Sequence, residues 1–167
     1  MSRTRFTLLI VTLAMAAAWL ACAPSLRSQD LVTQKALSLD VAQAIAHGAI
    51  DRCRADGYRV SVTVIDAGGE LKTFMRDEGS GPHTVGLSRQ KAYTALTFKR
   101  TSADTAKAWA ANPPAPNIAG TVGIAGGVPL KAGNDFIGAV GVSGAPGGDK
   151  DEACDNAGIA KVADQLK

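Results

Sequence analysis

The chain has 167 residues, enough for one domain of average size, with 46% hydrophobic and 20% charged residues. That balance excludes both an intrinsically disordered chain and an integral membrane protein. Aromatics make up only 5% while glycine occurs 18 times, so a turn-rich sheet-and-helix domain built on small residues is expected. The formal charge of +3 looks mildly basic. Its source, however, is the first segment.

Residues 1–28 read as a secretory signal. Arg3 and Arg5 form a positive start, Phe6 to Ala18 is apolar, and small residues follow at Ala21 and Ala23. The apolar run is too short to span a bilayer before Pro24 and Arg27 interrupt it. Ala21-Cys22-Ala23 fits a small-residue cut, and cutting after Ser28 is the alternative. A lipid anchor on Cys22 is a third reading, disfavoured by Trp19-Leu20 ahead of Ala21. The expected location is therefore periplasmic or extracellular. Three of the 18 basic residues, Arg3, Arg5 and Arg27, fall in this segment and none of the 15 acidic ones, so the remainder is balanced. No block of Lys and Arg is left to track phosphates, which argues against nucleic acid as a partner.

Residues 29–37 form a short leader, and 38–167 the domain. Ser38 is a good cap for a helix on which Val41, Ala42, Ile45, Ala49, Ile50 and Cys53 recur at helical spacing, until Gly57 stops it. Val60, Val62 and Val64 then alternate with Ser61 and Thr63 as a strand, Asp66-Ala67-Gly68-Gly69 is a turn, and Glu70 to Met75 is the returning strand of a hairpin. A polar loop over 76–83 precedes a helix capped by Thr84 and running to about Phe98. Ser102 to Trp109 is a short helix ended by Asn112-Pro113-Pro114. Val122–Ile124, Val128–Leu130 and Asp135–Ser143 are expected strands, and Lys150–Leu166 a last helix. This order predicts an α+β domain with one antiparallel sheet and helices packed on it.

The domain holds two cysteines, Cys53 and Cys154, on helices near opposite ends of it. In an oxidising compartment a bridge between them closes a loop of about 100 residues. The alternative is a pair of buried small hydrophobes. Neither belongs to a CxxC or Cys/His array that would hold zinc.

Few side chains carry chemistry. His83 follows Gly-Ser-Gly-Pro and sits at a helix start, where a loop presents an imidazole to a ligand and free N–H groups attract an anion. His47 lies within the first helix, as a surface residue or an iron ligand. Asp66, Glu70, Asp77 and Glu78 read as turn-capping carboxylates or as an acid/base pair. There is no nucleophile elbow, P-loop or dinucleotide fingerprint: the glycines of Gly120–Gly127 are not followed by a helix carrying Lys-Ser/Thr. The residues favour a binding role over catalysis.

Several segments together carry a resemblance: Val64-Ile65-Asp66-Ala67-Gly68-Gly69, Gly81-Pro82-His83-Thr84, Arg89 to Ala95, Gly126-Gly127-Val128-Pro129-Leu130, Ile137 to Ala145, and Asp151-Glu152-Ala153-Cys154. In this order they resemble the GlcG/HbpS-like (DUF336) family of haem-binding or haem-associated proteins, found also as the C-terminal domain of PduO-type proteins. The resemblance implies a profilin-like three-layer α/β/α domain with a five-stranded antiparallel sheet. It implies haem, or a similar planar molecule, as cofactor, a homo-oligomer, and a membrane sensor or transporter as partner, with roles in haem sensing, storage or delivery. By the same resemblance His83 is the first candidate for haem iron and His47 the second, while Lys91, Thr94, Gly126 and Gly127 line the pocket. It also brings the first and last helices together, within reach of a Cys53–Cys154 bond. The alternative is an accessory protein or enzyme for a small oxygenated metabolite, with His83 as acid/base beside Asp77 or Glu78.

Overall fold

Ser38 starts the first helix as expected, its hydroxyl accepting the Val41 N–H at 3.3 Å, so that α1 runs Leu39–Ala55. The structure, a computed structural model, describes residues 32–112 and 118–167, of which Gln34–Lys167 form one unit. The signal-like segment with Cys22, and the first residues of the leader, lie outside the described residues. On α1, Ala42, Ile45, Ala49 and Cys53 form one buried stripe, and Arg52 and Arg54 sit in the last turn, where the helix dipole favours cations.

The hairpin follows as β1 (Ser61–Asp66) and β2 (Leu71–Arg76), paired antiparallel. Asp66 closes its turn by accepting the N–H groups of Gly68 and Glu70 at 2.9 and 3.0 Å. Helix α2 (His83–Phe98) starts one residue before the expected Thr84 cap, with Pro82 at the cap position. Thr84 instead donates to the Gly81 carbonyl at 2.6 Å and pairs with Ser61 at 2.8 Å. Helix α3 (Ser102–Ala111) is capped by Thr101, followed by β3 (Gly127–Ala132), β4 (Asp135–Ser143), α4 (Gly148–Ala160) and a 3-10 turn at Ala163–Leu166.

The sheet order is β2-β1-β4-β3, antiparallel throughout. Among the described residues it has four strands, not five. Val122–Ile124, expected as a strand, is irregular, and the Val122 N–H donates to Thr94 Oγ1 of α2 at 2.8 Å rather than to a neighbouring strand. A short apolar run beside glycines is not enough to make a strand when a helix side chain takes its donor.

Alternation along β1 and β4 sends side chains to two cores. Val62, Val64, Val140 and Val142 pack with Ile45, Ala49, Cys53 and Cys154 of α1 and α4. Ile65 and Ala139 pack with Ala92 and Ala95 of α2 on the opposite face. Helices therefore cover both faces of an α+β sheet. Cys53 and Cys154 form a disulfide that ties α1 to α4. On the other face the close approach of α2 needs Gly141, where a Cβ would stand 2.2 Å from the Ser88 carbonyl oxygen.

Candidate functional site

At one end of the sheet, the start of α2, the start of α4 and the connection from α1 to β1 enclose an open cavity of about 430 Å3. Tyr58 and Arg59 line one side, His83, Thr84 and Leu87 another, and Ile124 adds apolar surface. On its wall stand Lys91 and Asp151. Neither cap residue, Pro82 of α2 or Gly147 of α4, supplies a side-chain hydrogen bond, so the first-turn N–H groups of both helices rely on other partners.

Lys91 is the largest fully buried side chain. Its Nζ donates to Asp151 Oδ2 at 2.6 Å and to the Val142 carbonyl at 3.0 Å, while Asp151 Oδ1 accepts the Ala145 N–H at 2.9 Å. The two side chains are only 2% and 4% exposed. Lys91 belongs to the α2 layer and Asp151 to the other, so the lysine has to pass the end of the sheet. Gly126 and Gly127 leave the room. A Cβ on Gly127 would lie 2.2 Å from the Lys91 carbonyl oxygen, and one on Gly126 would lie 2.9 Å from Nζ and 2.6 Å from Asp151 Cβ. Gly126 also holds φ +107, which disfavours any side chain there.

Burial pushes the Asp151 carboxyl above the ordinary carboxylate range, although Lys91 pulls the other way. One turn further along α4, Asp155 is fully buried, and among the described residues neither of its carboxylate oxygens has a hydrogen-bond partner. Burial pushes its pKa well above the usual value, against the attraction of Lys91. The cavity wall thus sets one buried lysine against one carboxylate bonded to it, with Asp155 one turn further along α4 and outside the lining.

The sequence-derived candidates separate clearly. His83 lines the cavity with its imidazole exposed, its ring lying against Gly81 and making no hydrogen bond among the described residues. His47 is exposed on α1 and does not line this cavity. Lys91 is in the wall. Thr94, Gly126 and Gly127 do not line the cavity: Thr94 binds Val122 and the two glycines make the passage for Lys91. Asp77 does not partner His83. Arg54 holds it through two bonds of 2.7 and 3.0 Å and lowers its pKa to about 2, so it is fixed as a structural carboxylate. Reading residues singly missed Asp151 as a site residue, because an acid in a first helical turn looks like a dipole cap. It also missed Arg59, which stands alone between a turn and a strand with no motif to mark it.

Comparison with known proteins gives a consistent answer. The HbpS-like family, described as haem degrading protein HbpS-like, matches residues 37–160. No curated protein matches the sequence. Among solved structures, a crystal structure of HbpS is 34% identical, covering 81% of this chain and 96% of that one, with a TM-score of 0.77. A double mutant of HbpS from Streptomyces reticuli is 35% identical over 83% and 96%, with a TM-score of 0.76. At the level of fold alone, a PduOC–haem complex is 23% identical over 76% and 95%, with a TM-score of 0.68. With three quarters of its length under one family profile and a fold shared along nearly the whole of the HbpS chain, this protein belongs to the HbpS-like family.

Proposed function

We propose that this chain is an exported haem-binding protein in which His83 would hold the haem iron and the cavity at the starts of α2 and α4 would admit the ligand. The observation that carries the reading is the His83 imidazole, exposed at that cavity and without a hydrogen bond among the described residues. Among the described residues no three His, Cys, Asp or Glu side chains converge to hold a metal. A lone imidazole retains iron when the iron brings its other ligands with it, as in a porphyrin. Leu87 and Ile124 suit the macrocycle, and Arg59 suits a propionate. When bound, the haem would supply redox chemistry at iron, His83 would hold it, and Leu87 and Ile124 would give it apolar contact.

Family membership and the fold-level neighbour solved with haem support the ligand class. Export is supported by the Cys53–Cys154 disulfide, a bond that persists in oxidising compartments. Exposed Leu71 and Phe74, on the strand face beside α2, support assembly with further copies. Haem sensing, storage or delivery through a membrane sensor or transporter is the proposed setting.

Hemin titration tests the reading. A saturable Soret shift that His83→Ala removes and His47→Ala leaves in place is expected. A spectrum equal to that of free hemin, or a Soret shift indifferent to His83→Ala, would overturn it.

A further inference from the structure

The Lys91–Asp151 pair is not the only tie that holds α2 in place. That helix is also fastened to the sheet by Ser61–Thr84 at 2.8 Å and Thr63–Ser88 at 2.7 Å, and to the loop before β3 by Thr94–Val122 at 2.8 Å. A buried ion pair is in any case weak as a source of stability, since desolvation offsets most of its attraction. What distinguishes this pair is its position. It is buried, yet both members stand in the wall of the one cavity that opens at the helix starts. Nζ has two of its three hydrogens engaged, by Asp151 and Val142, and the third has no acceptor among the described residues.

We propose that Lys91 is a covalent carbonyl site, its amine condensing with the keto group of a small 2-oxo acid in the cavity while Asp151 carries the proton. A desolvated lysine beside a proton acceptor is the arrangement that Schiff-base chemistry needs. The Lys91 ammonium passes one proton across the 2.6 Å bond to Asp151. The free amine attacks the keto carbon, and an N–C bond forms. The proton held by Asp151 and a second proton from the nitrogen go to the keto oxygen, the C–O bond breaks, and water leaves. The product is a protonated imine on Lys91 with Asp151 again a carboxylate; nothing is oxidised or reduced. Burial favours the first transfer, because it makes Asp151 a better base than an exposed carboxylate.

The acid end of the ligand has its own partners. Arg59 lines the cavity, and so does the start of α2, whose first turn carries no acidic side chain and no side-chain cap. A neutral carbonyl compound lacks that second attachment, which is why a 2-oxo acid is the class assigned. The inference uses the cavity of the haem reading but rests on Lys91, whereas that reading rests on His83.

The test incubates the full chain with pyruvate and sodium cyanoborohydride, which reduces an imine to a stable secondary amine, followed by peptide mapping. A ketone is chosen because it reacts sluggishly with exposed lysines. One adduct per chain, on Lys91, is expected. Lys91→Arg, which retains a cation but no condensable amine, abolishes the adduct, and Asp151→Asn slows it about a hundred-fold, both variants being checked for fold by circular dichroism. No adduct at Lys91, or labelling of exposed Lys107 and Lys161 as fast as Lys91, would overturn the proposal. A hemin titration of the same wild-type sample keeps the two readings apart. A Soret shift without the adduct defeats only the carbonyl site, and the adduct without a Soret shift defeats only the haem site.

Discussion

Replacing Lys91 by Met removes the ammonium but leaves Asp151, 4% exposed, with no other ion-pair partner among the described residues. The remaining carboxylate keeps only the Ala145 N–H at 2.9 Å. Breaking a buried pair from one side costs about 3–5 kcal/mol, because the surviving charge is uncompensated. For a domain of this size that lowers the melting temperature by roughly 10–20 °C. Asp151→Leu strands the lysine in the same way, at a similar cost of about 3–5 kcal/mol. The double variant Lys91→Met, Asp151→Leu leaves no buried charge at this position, and its cost falls to about 1–2 kcal/mol, well below the sum of the singles. In Lys91→Met the folded pKa of Asp151 is raised above its unfolded value, so the loss is largest at neutral pH and shrinks as pH falls into the carboxylate range. Guanidinium melts of the four proteins at pH 7 and pH 4 read all of this. Single costs that simply add, or a Lys91→Met variant as stable as wild type, would refute the picture of a tightly coupled buried pair.

Reducing the Cys53–Cys154 bond, which spans 101 residues of sequence, lowers stability by about 4–5 kcal/mol in the chain-entropy model, and melts with and without dithiothreitol measure it. Asp77→Asn costs about 1–2 kcal/mol at neutral pH, discounted for the half-exposed Arg54 that holds the carboxylate. With the folded pKa at about 2 against 3.8, that stabilisation is complete above the ordinary value and is lost as pH falls between the two, so acid titration of both proteins should converge. Gly127→Ala places a methyl 2.2 Å from the Lys91 carbonyl oxygen, which has to move. The expected cost is about 1–3 kcal/mol or more by calorimetry, together with slower pyruvate labelling of Lys91.

Local rules carried most of the architecture. Ser38 and Gly57 bracket α1 because a cap and a left-handed glycine act within a few residues. The hairpin is set by Asp66, whose side chain organises its own turn. Expectation failed where the deciding partner is distant in sequence. Val122 is kept out of the sheet by Thr94, 28 residues earlier, and no periodicity signals that bond. The site divides in the same way. His83 was visible because its loop and helix start are contiguous, whereas Lys91 and Asp151 lie 60 residues apart and meet only because two glycines open a passage between layers. Asp155 was invisible for the same reason: burial, not its neighbours in sequence, pushes its pKa well above the usual value.

Paramagnetic mapping bears most directly on haem binding at His83. Ferric hemin added to the isotope-labelled protein broadens amide signals near the iron. The account predicts selective loss at Gly79, Gly81, Thr84, Gly144 and Ala145, which line the His83 cavity, with the amide of His47 unaffected. Loss centred on His47, or on the separate hollow lined by Ala67, Gly68 and Phe136, would contradict it.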